Sequence, residues 1–257
     1  MHPMVNIALR AARDAGEIIA QGADRLDRVS ILRDNDRGLL TSMDENADRT
    51  VLYHLGKSYP DHSIESRVSG LHQGKEGETV WLVDPLVGNR NYMAGYSQFA
   101  VSVACQIKGV VTHAVLINPL MGEEFTASRG SGSQFNGRRI RVSGKSELRQ
   151  ALLGLNPAGL DIEVFLAMEK ALIGGGASPR ISGCGALDLA YCACSRLAGG
   201  WCANQGRLET AAAVLILREA GGLVAAHTGE PDLKQAQELI FGSPKLFREF
   251  LRLRGKQ

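Results

Sequence analysis

The 257-residue sequence predicts a layered α/β protein, helices packed on two sheets. Three observations lead there. Apolar residues recur at helical spacing over 4–20, namely Val5, Ile7, Ala8, Ala11, Ala12, Ile18 and Ile19. Apolar runs separated by Gly, Pro and Asn turns fill 80–137, the pattern of an antiparallel sheet. Apolar helical segments then take over at 165–172, 187–197 and 210–220. No internal repeat or low-complexity segment interrupts the chain. It reads as one domain over 1–257, with approximate halves 1–150 and 151–257.

The elements follow in order. After the first helix, Asp34-Asn35-Asp36-Arg37-Gly38 reads as a turn. Ser42 and Glu45 have capping-box spacing for a helix running to about Tyr59, which puts Asp44 in its first turn. Pro60 to Ile64 turns into a short strand, and polar, Gly-rich 65–79 reads as a surface loop. The central stretch is Trp81-Leu-Val-Asp84-Pro-Leu-Val87-Gly88-Asn-Arg-Asn91. Pro85 is expected to end the apolar run, leaving Asp84 at the strand's tip, and Gly88 permits a tight turn with outward amides. Strands are expected at 99–107, 110–117 and 124–127, with a hairpin at Asn136-Gly137. Gly174-Gly-Gly176 breaks a helix before a short extended stretch to Gly183. Gly221-Gly222 opens a strand, and a last helix covers 245–253.

Composition sets limits. With 44% hydrophobic and 22% charged residues, the chain can bury a full core. A net charge of +2 makes no case for a nucleic-acid or membrane partner. The first residues lack the basic-then-apolar form of a signal peptide, and no apolar run approaches the ~18 residues of a membrane span, so a cytoplasmic protein is expected. The five cysteines contain no Cys-x-x-Cys pair and read as reduced, mostly buried thiols.

The order of motifs resembles the inositol monophosphatase family, and within it the bacterial SuhB branch. Asp84-Pro-Leu-x-Gly-x-x-Asn91 matches the family's Asp-Pro-Leu/Ile-Asp-Gly-Thr-x-Asn. The Met1–Ala20 opening, Phe99-Ala-Val-Ser-Val, Glu124-Phe-Thr-Ala-Ser-Arg-Gly130, Asn136-Gly-Arg, Ala186-Leu-Asp-Leu-Ala-Tyr191 and Arg218-Glu-Ala-Gly-Gly222 extend the likeness nearly end to end. The resemblance implies a five-layer αβαβα sandwich, a homodimer, and Mg²⁺-dependent hydrolysis of phosphomonoesters through carboxylates that gather the metal.

Carried over residue by residue, that implied site is depleted. Asp84 is present, and Leu86 keeps the backbone carbonyl the family uses on a metal. The family's second aspartate is Val87, which has no donor atom, and its metal-binding glutamate aligns with Arg67. The family's Trp-Asp is Leu208-Glu209, a carboxylate one methylene longer. Asp44, at the water-orienting position, is retained, while its threonine partner is Asn89. The sugar-facing glutamate is Cys202. Mg²⁺ binds through carboxylates and parts with water reluctantly, so ligand count and charge both matter; no tightly bound cofactor is expected, with Mg²⁺ needed only for residual activity. Arg67 is expected to pair with Asp84 or Glu209 in the metal's place. Gly88, Asn89 and Arg90 with Arg67 could still hold a phosphate.

Three functions stay open at this stage. One is a non-catalytic relative acting by contact with transcription or antitermination proteins, or with a SuhB paralogue in a mixed dimer. A second is a Mg²⁺-dependent phosphomonoesterase with an altered site. The third is a metal-free sensor of a phosphorylated ligand. Fold alone does not choose among them.

Overall fold

The structure is a computed structural model that describes residues 2–254 apart from 36, 37, 146, 204, 205, 231, 232, 234, 235 and 237. Met1, and Asp36 and Arg37 of the expected turn, therefore lie outside the described residues. Helix α1 (Pro3–Ala23) starts with Pro3 in its first turn, and His2 Nδ1 accepts the Met4 N–H at 3.2 Å. A two-stranded hairpin follows, β1 (Ile31–Asn35) and β2 (Gly38–Thr41), and then α2 (Ser42–Ser58). Next come β3 (His62–Ser66), β4 (Gly70–His72), β5 (Glu76–Val87) and the short α3 (Asn89–Met93). An antiparallel meander completes the first sheet: β6 (Ala100–Ile107), β7 (Val110–Asn118), β8 (Glu123–Ser128), β9 (Gly132–Phe135) and β10 (Arg138–Ile140).

The remainder is β11 (Leu152–Asn156), α4 (Ile162–Gly174), β12 (Ser178–Arg180), α5 (Gly185–Ala193) and β13 (Gly199–Ala203). After them run α6 (Arg207–Glu219), β14 (Leu223–Ala226), β15 (Glu238–Gly242) and α7 (Pro244–Arg254). The eight-stranded sheet has order β10-β9-β8-β7-β6-β5-β3-β4, and the five-stranded sheet β12-β11-β13-β15-β14.

Alternation along the strands builds the layers. On β5 and β6, Trp81, Val83, Val101, Val103 and Cys105 face α1 and α2. The opposite faces of those strands, with Leu82, Ala100 and Ala104, pack on α5 and α6, which the second sheet covers through Cys202, Val224 and Phe241. Trp201 and Ile240 face outward onto α4 and α7. The order is helix, sheet, helix, sheet, helix. Small residues on the sheet's inner face, Ala104, Ala114 and Ala127, meet the alanines of α6 (Ala211, Ala212 and Ala213) and let the middle layer approach closely.

Several expectations change. Strand β5 does not stop at Asp84; it runs through Asp84 and Pro85 to Val87. A register shift there sets Pro85 and Leu86 against Val101 alone, so the proline occupies a bulge where no ladder donor is needed. The supposed loop 65–79 contains the end of β3, edge strand β4 and the start of β5. All three residues of β4 are exposed, which removes the apolar alternation that sequence reading relies on. The capping box uses Thr41 and Asp44, one residue ahead of Ser42 and Glu45, because Thr41 has the extended backbone of an N-cap. The 187–197 helix ends at Ala193, and Ser195 turns with φ 68°. The hairpin at Asn136-Gly137 forms with both residues at positive φ, 46° and 76°.

Candidate functional site

Two strand ends and one helix start converge beside β5. The β3–β5 pair is parallel, and the Arg67 N–H just beyond β3 donates to Val83 O at 3.0 Å. That places the Arg67 side chain against Asp84. Its Nε donates to Asp84 Oδ1 at 2.8 Å, and its Nη2 donates to Leu86 O at 3.2 Å and to Asp44 Oδ1. The Leu86 N–H, inside the bulge, also donates to Asp84 Oδ1 at 3.1 Å. Asp44 and Asp84 are both fully buried.

Asp44 is held from the other side by the start of α2. Its Oδ2 accepts the Thr41 N–H at 2.8 Å and the Thr41 hydroxyl at 2.7 Å. Asn89 Nδ2 donates to Leu39 O at 2.5 Å and to Asp44 Oδ1 at 3.3 Å. Both oxygens of Asp44 are therefore spent. Asp84 Oδ2 is buried with no hydrogen-bond partner among the described residues. Burial raises the Asp84 carboxyl above the usual carboxylate range, against the pull of Arg67. Burial opposes the charge of Arg67 too, but Asp84 and Asp44 outweigh it and hold the guanidinium above its ordinary value.

The remaining predicted residues sit around this group. Glu209, in the first turn of α6, accepts the Gly206 N–H at 2.8 Å. Burial, with the charge of Asp84, pushes its carboxyl up to about 7. Val87 is buried in the apolar layer against α5 and α6. Gly88 has φ 82°, and a Cβ there would stand 2.8 Å from Gln98 O, so two separate constraints demand glycine. Arg90 turns to the β1 hairpin and pairs with Asp34 at 2.7 Å. Cys202 is fully buried on β13, and burial pushes its thiol up. The structure thus joins Asp44, Arg67, Asp84, the Leu86 carbonyl and Asn89 by direct hydrogen bonds. It does not join Arg90 or Cys202 to them. Among the described residues, no group of three or more His, Cys, Asp or Glu is arranged to hold a metal ion.

Sequence reading passed over Asp188. Its only signal was a carboxylate inside the apolar run Ala186-Leu-Asp-Leu-Ala190. Ser182 Oγ donates to Asp188 Oδ1 at 2.9 Å, while Oδ2 is buried without a partner among the described residues. Burial pushes the carboxyl up to about 7, against the Ser182 hydrogen bond. The native state therefore keeps a proton that the unfolded chain has already lost. Stability from this group is full below about pH 4 and falls as pH rises towards 7. Asp188→Asn removes the titration, so its urea-unfolding free energy should gain roughly 3 kcal/mol on the parent between pH 4.5 and 8. Parallel pH profiles would refute this.

The layered sandwich sets Asp84-Pro-Leu86, in the bulge of β5, beside the acidic start of α2. The sequence model of the inositol monophosphatase family matches residues 1–255, and the chain belongs to that family. Within it, the chain falls on the SuhB branch. It is 41% identical to a Nus factor SuhB of Pseudomonas aeruginosa over 258 aligned positions, covering 98% of this chain and 95% of that one. Against the Nus factor SuhB of Escherichia coli K12, identity is 35%, over 98% and 95% of the two chains. Among solved structures, the extragenic suppressor protein suhB of Bartonella henselae superposes with TM-score 0.96 at 29% identity, over 99% of both chains. An inositol monophosphatase of Anabaena (Nostoc) superposes with TM-score 0.83 at 28% identity, over 98% and 95%.

Proposed function

We propose that this chain is a regulatory member of the SuhB branch that works in the cytoplasm by contact with transcription proteins, its phosphatase centre closed by Arg67. One observation carries the reading. The guanidinium bonds at once to Asp84, Asp44 and the Leu86 carbonyl, three oxygens that the family resemblance assigns to metal and water. A cation already neutralises the carboxylates, and Val87 adds no donor. What stays available is Asp84 Oδ2 and one oxygen of Glu209, and a dication drawn to them would meet the Arg67 guanidinium already bonded to the same carboxylate. The donor set does not fit the family's metal.

The regulatory half rests on relatives, since the similar Pseudomonas and Escherichia proteins are named Nus factors. Contact with an antitermination assembly needs no hydrolysis, so a closed centre is compatible with it. The assembly state proposed is the homodimer that the family resemblance implies, and sedimentation checks it. Calorimetric titration of Mg²⁺ into the full chain, with and without inositol phosphate, tests the closed centre. No metal-dependent heat and no phosphate release are expected; metal binding with turnover would overturn the reading. Purified Nus proteins and RNA polymerase should shift the chain on a sizing column, and failure to do so removes the regulatory half.

A second reading has one observation of its own. The Arg67 side chain remains 20% exposed, which supports metal-free capture of a phosphate by Arg67 with Gly88 and Asn89, without Arg90, which is turned away to Asp34. Thermal stabilisation by inositol phosphate in chelator, lost in Arg67→Met, is its test.

A further inference from the structure

The chain-wide charge of +2 hides a local excess. Residues 129–149 carry Arg129, Arg138, Arg139, Arg141, Lys145 and Arg149 against one acid, Glu147, so six cations less one acid give +5. The rest of the chain is slightly acidic. All six cations are exposed, and among the described residues no side chain of the five arginines makes an ion pair or a hydrogen bond. Lys145 Nζ donates to Gln150 O at 2.7 Å. Acids on the neighbouring elements are engaged elsewhere. Glu219 accepts the N–H groups of Gly130 and Gly132 at 2.9 and 2.8 Å, Glu123 pairs with Arg196, and Glu124 pairs with Arg13 at 2.6 Å.

The segment forms a strap over the rim of the sandwich. It starts on edge strand β10, where Arg139 lies across Gly132; a Cβ there would stand 3.1 Å from its Nη2. It then crosses the helical middle layer. The Val142 N–H donates to Ala220 O just after α6 at 3.0 Å, and Ser195 Oγ donates to Arg141 O at 2.7 Å. At the second sheet, Ser243 Oγ donates to Lys145 O and the Gln150 N–H to Gly176 O, both at 2.8 Å. From Arg138 to Lys145 the path can reach about 24 Å.

Charges on an edge strand can serve only to deter pairing with another sheet. That account covers Arg138 and Arg139, but the other four cations lie off β10. The opposite edge, β4, has Gly70, Leu71 and His72 and no arginine. The strap also lacks what a protein partner would bury. Ile140 and Val142 pack inward, and the exposed described positions of 138–149 are Arg, Lys, Gly and Glu. A row of unpaired guanidiniums matches phosphodiester oxygens. The path bends from one sheet to the other, which a flexible strand can follow and a duplex, stiff over about 150 bp, cannot. Phe135, the aromatic residue of 129–149, is covered by the Arg196 guanidinium at 5.0 Å, which leaves no ring for base stacking.

We propose that the 129–149 strap binds the phosphate backbone of single-stranded nucleic acid without reading its sequence. The site is separate from the Arg67 cluster, and its test is independent of that centre.

Fluorescence anisotropy of labelled 20-mers of uridine and of thymidine, titrated with the full chain, is the test. Both should bind, within about three-fold of each other. The slope of log K against log[KCl] should be about −3.5 to −4, as five or six phosphate contacts require. Arg139→Gln with Arg141→Gln should weaken binding about ten-fold at 50 mM KCl and flatten the slope by about 1.4. Both side chains are exposed and unpaired, so the variant keeps its fold. Lys57→Gln with Lys75→Gln makes the same change of charge on exposed residues elsewhere and should bind like the parent. No binding at 50 mM KCl, equal losses in the two double variants, or a duplex bound as tightly as the single strand would each overturn the proposal. Displacement by polyglutamate as effective as by unlabelled oligonucleotide would also overturn it and assign the strap to an acidic protein.

Discussion

Arg67→Met will destabilise the fold by about 3–5 kcal/mol at neutral pH, far beyond an ordinary surface substitution. The reason is what it leaves behind. Asp44 and Asp84 are fully buried, and Arg67 is the cation paired with both. Asp44 would keep Thr41 and Asn89, but Asp84 would keep only the Leu86 N–H on one oxygen. An unpaired buried carboxylate is costlier than the pair was worth, so the loss measures stranding more than attraction. Two further variants separate these terms. Adding Asp84→Asn to Arg67→Met should recover part of the loss, since a neutral amide needs no counter-ion. Asp84→Asn alone should cost less than Arg67→Met. Urea unfolding at pH 7 decides it: a loss below about 1 kcal/mol for Arg67→Met would mean the cluster is solvated and the guanidinium is not holding it.

This cluster also shows how far the sequence could be read. The Arg67–Asp84 pair was one of two partners the resemblance allowed, Asp84 or Glu209, because Arg67 stands where the family has a metal ligand; the structure has Asp84. The Asp44 arm was not legible, for it depends on where α2 begins. Shifting the cap from Ser42 to Thr41 points Asp44 at its own helix start and at Arg67 together. Strand β5 was misread for a local reason: proline usually ends a strand, and here a bulge absorbs it. That error mattered, because the bulge aims the Leu86 carbonyl and N–H at the cluster. The antiparallel meander was legible from turn residues and alternation, whereas the five-layer order came from the family resemblance. The second sheet was nearly invisible, as β11, β13 and β15 are five-residue strands covered on both faces, without alternation to mark them. Asp188 escaped for the opposite reason. Its neighbours spell a helix so plainly that a lone acid among them drew no separate reading.

The largest functional effect should come from placing carboxylates at 67 and 87, where the family resemblance implies metal donors. Val87→Asp alone places a carboxylate in the apolar layer against α5 and α6 while Arg67 still occupies the centre, and it should only destabilise. Val87→Asp with Arg67→Glu changes the electrostatics. Asp84, Glu209 and two new carboxylates then face one another without a cation, a repulsion that a divalent ion relieves. In chelator this double variant should melt well below the parent. Millimolar Mg²⁺ should restore much of the difference, by about 2.7 kcal/mol if its concentration reaches a hundred times Kd, and should leave the parent unmoved. Melting curves with and without the ion give the answer, independent of any turnover. Equal stabilisation of the parent would mean Arg67 gives way to metal, and the closed centre falls. If neither protein responds, Arg67 and Val87 are not what separates this chain from a metal site. The longer reach of Glu209, tied to the Gly206 N–H, would then be the obstacle, and Glu209→Asp added to the double variant would be the next protein to titrate. Recovery in the double variant alone would tie the loss of metal to two side chains on an otherwise intact scaffold.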